Sequence, residues 1–273
     1  MASEVSAPPI VLVHGLWLTP RSWEGFEERF EARGRRVLAP AWPRMAGEVE
    51  DVRRDPSVLN GLGLTEIVDH YERIVRGLDR PPVIMGHSFG GLVTELLLDR
   101  GLGAAGVAIS PAPVKGVLRL PLAQLRATLP VLGNPANRNR TVELTPKQFR
   151  YAFANTMAPY EAKALYDRYQ VPGPGRLLFQ AAVANLNPRA PNKADFHKDD
   201  RPPLLIIGCD QDHTVPASVS KEAATRLGKS KAVVDYEEFA GRPHFAGAPG
   251  WEAVADHALE WADRHTGATA PSV

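Results

Sequence analysis

The run Ile10-Val11-Leu12-Val13 contains no polar residue that could give a strand a wet face. A short, wholly apolar, β-branched run of this kind suits a strand buried on both sides, as in a parallel sheet. Similar runs recur at Arg36-Val37-Leu38-Ala39-Pro40, Val83-Ile84-Met85, Ala105-Gly106-Val107-Ala108-Ile109, Leu204-Leu205-Ile206-Ile207 and Ala232-Val233-Val234-Asp235-Tyr236. Parallel strands need crossover connections, and helical patterns lie between these runs. Thr19 is placed to cap a helix with Pro20 at its first position; Trp23, Phe26 and Phe30 form its apolar stripe, and it stops near Gly34. A helix opening at Thr65 carries Ile67, Val68, Tyr71, Ile74, Val75 and Leu78 on one face, and a closing helix carries Trp251, Val254, Ala255 and Ala258. The alternation predicts an α/β fold, a mostly parallel sheet with helices on both faces.

Proline interrupts that alternation. Residues 111 to 203 hold 13 of the 25 prolines in the 273-residue chain, and proline breaks both helices and central strands. Within this stretch, Thr145-Pro146-Lys147-Gln148 forms a capping-box pattern, Pro159 to Gln170 reads as a second helix, and a third follows Gly173-Pro174-Gly175 and ends before Pro188. Three short helices between two strands of one sheet predict a helical cap over the strand ends. The expected organisation is a core over 8–110 and 202–266, a cap over 111–201 and a flexible tail over 267–273. The length suits one such domain with an insertion.

The remaining composition excludes several classes. Basic and acidic side chains number 32 and 31, so no global field draws the chain to nucleic acid or to a membrane surface. A lone cysteine, Cys209, rules out an internal disulfide and a Cys-rich zinc site. No apolar run approaches a membrane-spanning length, and the first residues lack a signal-peptide pattern. A soluble, cytoplasmic protein is therefore expected.

Ligands of parallel sheets bind beyond the carboxyl ends of the strands, so the polar residues there carry the functional argument. Ser88 lies in Gly86-His87-Ser88-Phe89-Gly90, between a buried strand and a helix. A serine hydroxyl becomes a nucleophile when it is presented in a sharp turn and given a base. The small residues Gly86 and Gly90 permit that turn, and the helix N-terminus behind it favours negative charge. The base must be a histidine at the same edge. His244 follows the last strand, whereas His70, His257 and His265 fall in helices and His197 in a charged stretch; His14 and His87 flank other elements of the site. An acid must orient the base. Asp210 and Asp212 both follow the fifth strand, and Ser110-Pro111-Ala112-Pro113 after the fourth offers no carboxylate. Two amides, of Phe89 and of Leu16, are the expected oxyanion donors.

These features together resemble the α/β-hydrolases: Val13-His14-Gly15 after the first strand, the serine elbow, Gly208 to Pro216, the late Gly241-Arg242-Pro243-His244, and the chain order of serine, acid and histidine. The resemblance covers nearly the whole chain. It implies Asp212 as the acid, because the family's acid is commonly followed shortly by Val-Pro, here Val215-Pro216. The chain departs from the family in having its first core strand almost at its start, so the antiparallel strands many members carry before it are expected to be missing or shortened. A serine at the elbow sets the chain apart from relatives that use a carboxylate there, the dehalogenases and epoxide hydrolases. The implied activity is hydrolysis of a small or medium apolar ester or lactone through an acyl-enzyme, with no metal or organic cofactor and a small molecule as the partner. A thioesterase, a perhydrolase or a carbon–carbon hydrolase would use the same triad, and a ligand-binding protein could retain it. Trp17, Phe153, Tyr166 and Tyr169 are the expected pocket residues.

Overall fold

A computed structural model describes residues 7–45 and 48–267. The chain runs β1 (Ile10–Val13), α1 (Glu24–Glu31), β2 (Val37–Leu38), α2 (Val49–Arg54), α3 (Leu64–Arg76), β3 (Val83–His87), α4 (Phe89–Asp99) and β4 (Ala105–Ile109). It continues through α5 (Leu122–Leu132), β5 (Thr141–Val142), α6 (Pro146–Phe153), α7 (Pro159–Tyr169), β6 (Gly173–Pro174) and α8 (Arg176–Ala182). It ends with β7 (Leu204–Cys209), α9 (Ala217–Leu227), β8 (Val234–Phe239) and α10 (Trp251–Thr266). Six strands form a parallel sheet in the order β2-β1-β3-β4-β7-β8. The chain steps outward from β1 to β2, then crosses back over β1 to β3. Connections therefore leave β1 and β3 in opposite directions, which opens a crevice at their carboxyl ends.

The period-two alternation of the central strands sorts the core into two layers. Ile10, Leu12, Val83 and Met85 face Trp23, Phe26 and Phe30 and the Val254, Ala258 and Trp261 stripe of α10. Val11, Val13 and Ile84 face the other way, into a layer with α3, α4 and α9. That second layer runs without a break into the inserted segment between β4 and β7, whose Leu144, Phe149, Phe153 and Leu177 belong to the same cluster. Hydrogen bonds fasten the segment to the strand-end loops. Trp17 Nε1 donates to Val142 O (3.0 Å), Val171 N to Trp17 O (2.9 Å), Thr214 Oγ1 to Ala152 O (2.7 Å) and Phe245 N to Phe153 O (3.0 Å).

Several boundaries differ from the sequence expectation. The helix expected from Thr19-Pro20 opens with a 3-10 turn over Pro20–Trp23 before α1, and the Thr19 side chain makes no cap bond. α3 starts at Leu64, capped by Gly63. The last strand lies at Val234–Phe239 rather than 232–236, because its register against β7 runs from Leu204↔Val234 to Cys209↔Phe239. The inserted segment also contains α5 and the two-stranded ribbon of β5 and β6, which the sequence did not suggest. Pro130 sits inside α5, and three of its leucines are exposed, so no continuous apolar stripe marks the helix. Gly267 closes α10 in a left-handed conformation; the rest of the expected tail lies outside the described residues. Among the described residues, no helix is long and apolar enough to cross a membrane.

Candidate active site

Ser88 joins β3 to α4 at φ 57° and ψ −120°, a backbone conformation that non-glycine residues rarely hold. Its surroundings impose it. The Ser88 amide donates to Ile109 O (2.9 Å), while its carbonyl accepts from Ala112 N (3.0 Å) and Leu92 N (3.1 Å). A Cβ on Gly86 would stand 2.0 Å from Gly90 O, and a Cβ on Gly90 would stand 2.0 Å from Val13 O. Both glycines are therefore required by close backbone approach, and the second brings the end of β1 against the first turn of α4. Phe89 is the first residue of α4, so its N–H has no acceptor within the helix. The Leu16 amide donates to no backbone carbonyl among the described residues. Both belong to the walls of the cavity that contains Ser88.

His244 lies in the loop between β8 and α10, where its Nδ1 donates to Asp212 Oδ2 at 2.6 Å. Both side chains are fully buried. The other carboxylate oxygen, Asp212 Oδ1, accepts from Thr214 N (2.7 Å) and Val215 N (2.8 Å). The two amides and the imidazole satisfy the buried carboxylate and fix the ring's tautomer. With the proton on Nδ1, Nε2 carries the lone pair, and it is buried without a hydrogen-bond partner among the described residues. Asp210, the other candidate, is exposed and accepts from Arg242 N at 3.3 Å. Arg242 is itself buried and binds the carbonyls of Pro249, Ala246 (3.3 Å) and Ala248 (3.1 Å), which pins the His244 loop.

Two further imidazoles support this edge. His87 Nε2 donates to His244 O at 2.7 Å, and the two rings stand 4.7 Å apart. Burial holds the His87 ring well below the ordinary histidine range, and the neighbouring His244 and His14 push it in the same direction. His14 stacks on Trp42, accepts from the Trp42 amide (3.3 Å) and donates to Gly15 O (3.0 Å). Burial pushes its pKa down to about 4. Both rings are thus neutral supports near pH 7. The Cys209 thiol is pushed up to about 12 by burial and by the nearby Asp212, so it is no nucleophile. Among the described residues, no group of three or more His, Cys, Asp or Glu side chains is placed to hold a metal ion.

A cavity of about 210 Å³ opens at Ser88. Leu16 and Trp17 form one wall; Val117, Leu118, Leu120 and Leu125 form another, and Leu178 of α8 a third. Phe153, Tyr166 and Tyr169, expected to line the pocket, do not. The Phe153 ring stacks on Phe149 (4.9 Å) and meets His244 edge-on (4.9 Å), so it backs the histidine instead. The Tyr166 hydroxyl donates to Glu143 and the Tyr169 hydroxyl to Glu24. The cause is which helices cover which side. α6 and α7 pack on the His244 side, while α5 and α8 cover Ser88. The leucines around the cavity escaped the sequence reading because they sit beside Pro113, Pro121 and Pro130 without a helical period.

A family model described as "Alpha/beta hydrolase family" matches residues 10–257. A search of curated proteins returns no sequence match. Among solved structures, the chain is similar to a monoacylglycerol lipase of Paleococcus ferrophilus (22% identity, TM-score 0.66, covering 95% of this chain and 97% of that one). It is also similar to a pyrethroid hydrolase of Sphingobium faniae JZ-2 (17%, TM-score 0.64, 94% and 98%) and to a methylesterase protein of Arabidopsis (12%, TM-score 0.65, 94% and 100%). At these identities the structural likeness speaks for the fold. The family match spans most of the chain, and the chain belongs to the alpha/beta hydrolase family.

Proposed function

We propose that this protein is a serine hydrolase that cleaves a small or medium apolar carboxylic ester or lactone, with Ser88 as nucleophile, His244 as base and Asp212 as the acid that orients it. The observation that carries the proposal is the buried 2.6 Å bond from His244 Nδ1 to Asp212, which leaves Nε2 unpartnered at the edge where Ser88 is held in a strained turn. The lipase, hydrolase and methylesterase names of the similar structures agree with ester chemistry. A triad of this kind is recognised by geometry and roles.

The steps follow from the groups present. His244 Nε2 takes the Ser88 hydroxyl proton as Oγ bonds to the substrate's carbonyl carbon. The carbonyl oxygen becomes an oxyanion, which accepts from the amides of Phe89 and Leu16. His244 then gives its proton to the departing alkoxide oxygen, the carbon–oxygen bond breaks and an acyl-serine forms. Water, deprotonated by His244, attacks the acyl carbon, and collapse returns the proton to Ser88 Oγ and releases the acid. Asp212 stays ionised and stabilises the imidazolium in both halves. The apolar cavity walls receive the uncharged chain of the substrate.

The test is a panel of p-nitrophenyl and methyl esters with wild type and Ser88→Ala. The variant is expected to fold normally and to lose on the order of 10³-fold or more in kcat. Wild-type turnover by a folded Ser88→Ala protein would remove Ser88 as the nucleophile.

A further inference from the structure

Helix α5 buries two polar side chains, Gln124 and Thr128, beside Ala127 and Val131. Leu122, Leu125 and Leu129 are 84%, 42% and 62% exposed, whereas Gln124 and Thr128 are buried. An amphipathic helix does the reverse. Gln124 and Thr128 stand one turn apart on the same face, and both line the cavity at Ser88. Thr128 is satisfied, because its hydroxyl donates to Gln124 O at 2.9 Å. Thr214 Oγ1 donates to Ala152 O (2.7 Å), and Asn185 donates to Val117 O (2.9 Å) while accepting from Gly116 N (2.7 Å). Gln124 differs: only 8% exposed, it holds an enclosed Oε1 with no hydrogen-bond partner among the described residues. Buried amides are usually paired, and positions that break the local rules of a helix tend to be functional or strained sites.

We infer that Gln124 is a substrate-recognising residue of the Ser88 cavity and that the preferred ester carries a hydroxyl group on the part lying along α5. This rests on Ser88 being the nucleophile of that cavity. Rotation about the last torsion of the side chain exchanges its oxygen and nitrogen. A hydroxyl both donates and accepts, so it satisfies the amide in either orientation. A charged group is disfavoured beside Leu132 and Leu178, since among the described residues no counter-charge is buried there and the cationic Arg119 is exposed. A site with an unmatched amide rejects the analogue that lacks the hydroxyl, because that analogue leaves the amide unpaired.

Two ester series test this: methyl hexanoate with its monohydroxy derivatives, and hexyl acetate with its own. Wild type is expected to favour at least one hydroxy ester over its parent by about tenfold or more in kcat/KM. Gln124→Leu, or Gln124→Met should the leucine variant fail to fold, is expected to bring that ratio close to one. The same pairs are titrated by calorimetry onto Ser88→Ala, where the favoured hydroxy ester should bind about tenfold tighter than its parent. That advantage should vanish in Ser88→Ala/Gln124→Leu. Parents hydrolysed as well as every hydroxy ester, or a preference that survives loss of the amide, would overturn the inference. Hydrolysis that persists in Ser88→Ala, with Gln124-dependent binding intact, would overturn the nucleophile assignment and leave the recognition role supported.

Discussion

Asp210 and Asp212 share one loop and have opposite surroundings. Asp212 is 2% exposed, and its two oxygens meet the His244 ring and two backbone amides; Asp210 lies in solvent and touches the loop through the Arg242 amide. An asparagine at 212 would offer its NH2 or oxygen where the imidazole needs a negative acceptor, and the wrong tautomer would follow. Asp212→Asn is expected to cost up to ~10⁴-fold in kcat, while Asp210→Asn costs far less and acts through the loop. Steady-state kcat values for the two variants check this, and the reverse order would move the acid to Asp210. Ser88 and the two aspartates were legible in the chain because they stand close behind apolar strand runs, and His244 because it lies in the loop between the last strand and the last helix. The choice between the carboxylates was not, since two positions in an irregular loop carry no periodicity. The Val215-Pro216 pair pointed to Asp212 through family resemblance, and the structure supplies a physical reason in the Val215 amide that caps the carboxylate.

Among the elements, legibility divides at β4. The central strands announce themselves because burial on both faces demands unbroken apolar runs, as in the wholly buried β1, β3 and β4. β8 is an edge strand with alternating burial, and there the apolar Val233-Val234 drew the expected boundary two residues early. The inserted segment was legible only in part. The capping box at Thr145 and Gln148 marks the start of α6 in both sequence and structure, with Gln148 N to Thr145 Oγ1 at 3.3 Å and Thr145 N to Gln148 Oε1 at 2.8 Å. α5 was missed for the reason that makes it informative. Leu122, Leu125 and Leu129 are exposed and Gln124 is buried, so a search for an apolar stripe passes over the helix, and with it the wall of the cavity. Aromatic residues drew attention to α6 and α7, but a ring that backs His244 and hydroxyls tied to Glu143 and Glu24 are packing and surface features.

At the scale of the whole molecule, the buried histidines couple the site to global stability. His14 is fully buried and neutral, with its pKa pushed down to about 4 from an ordinary 6.5. Between those values the unfolded chain binds a proton that the folded chain refuses, so stability present above pH 6.5 is lost as pH falls toward 4. His14 alone accounts for roughly 3 kcal/mol of that loss, and His87 acts in the same direction. Urea denaturation across this window should show the decline, and His14→Gln should flatten it; an equally steep decline in the variant would place the proton uptake elsewhere. The covalent role proposed for Ser88 is read out by peptide mapping with mass spectrometry after reaction with a fluorophosphonate. One phosphonyl group is expected, on the peptide that contains Ser88, and none on that peptide in Ser88→Ala. A native, esterolytic protein whose Ser88 stays unmodified, or whose Ser88→Ala variant is labelled at an equal rate, would contradict it.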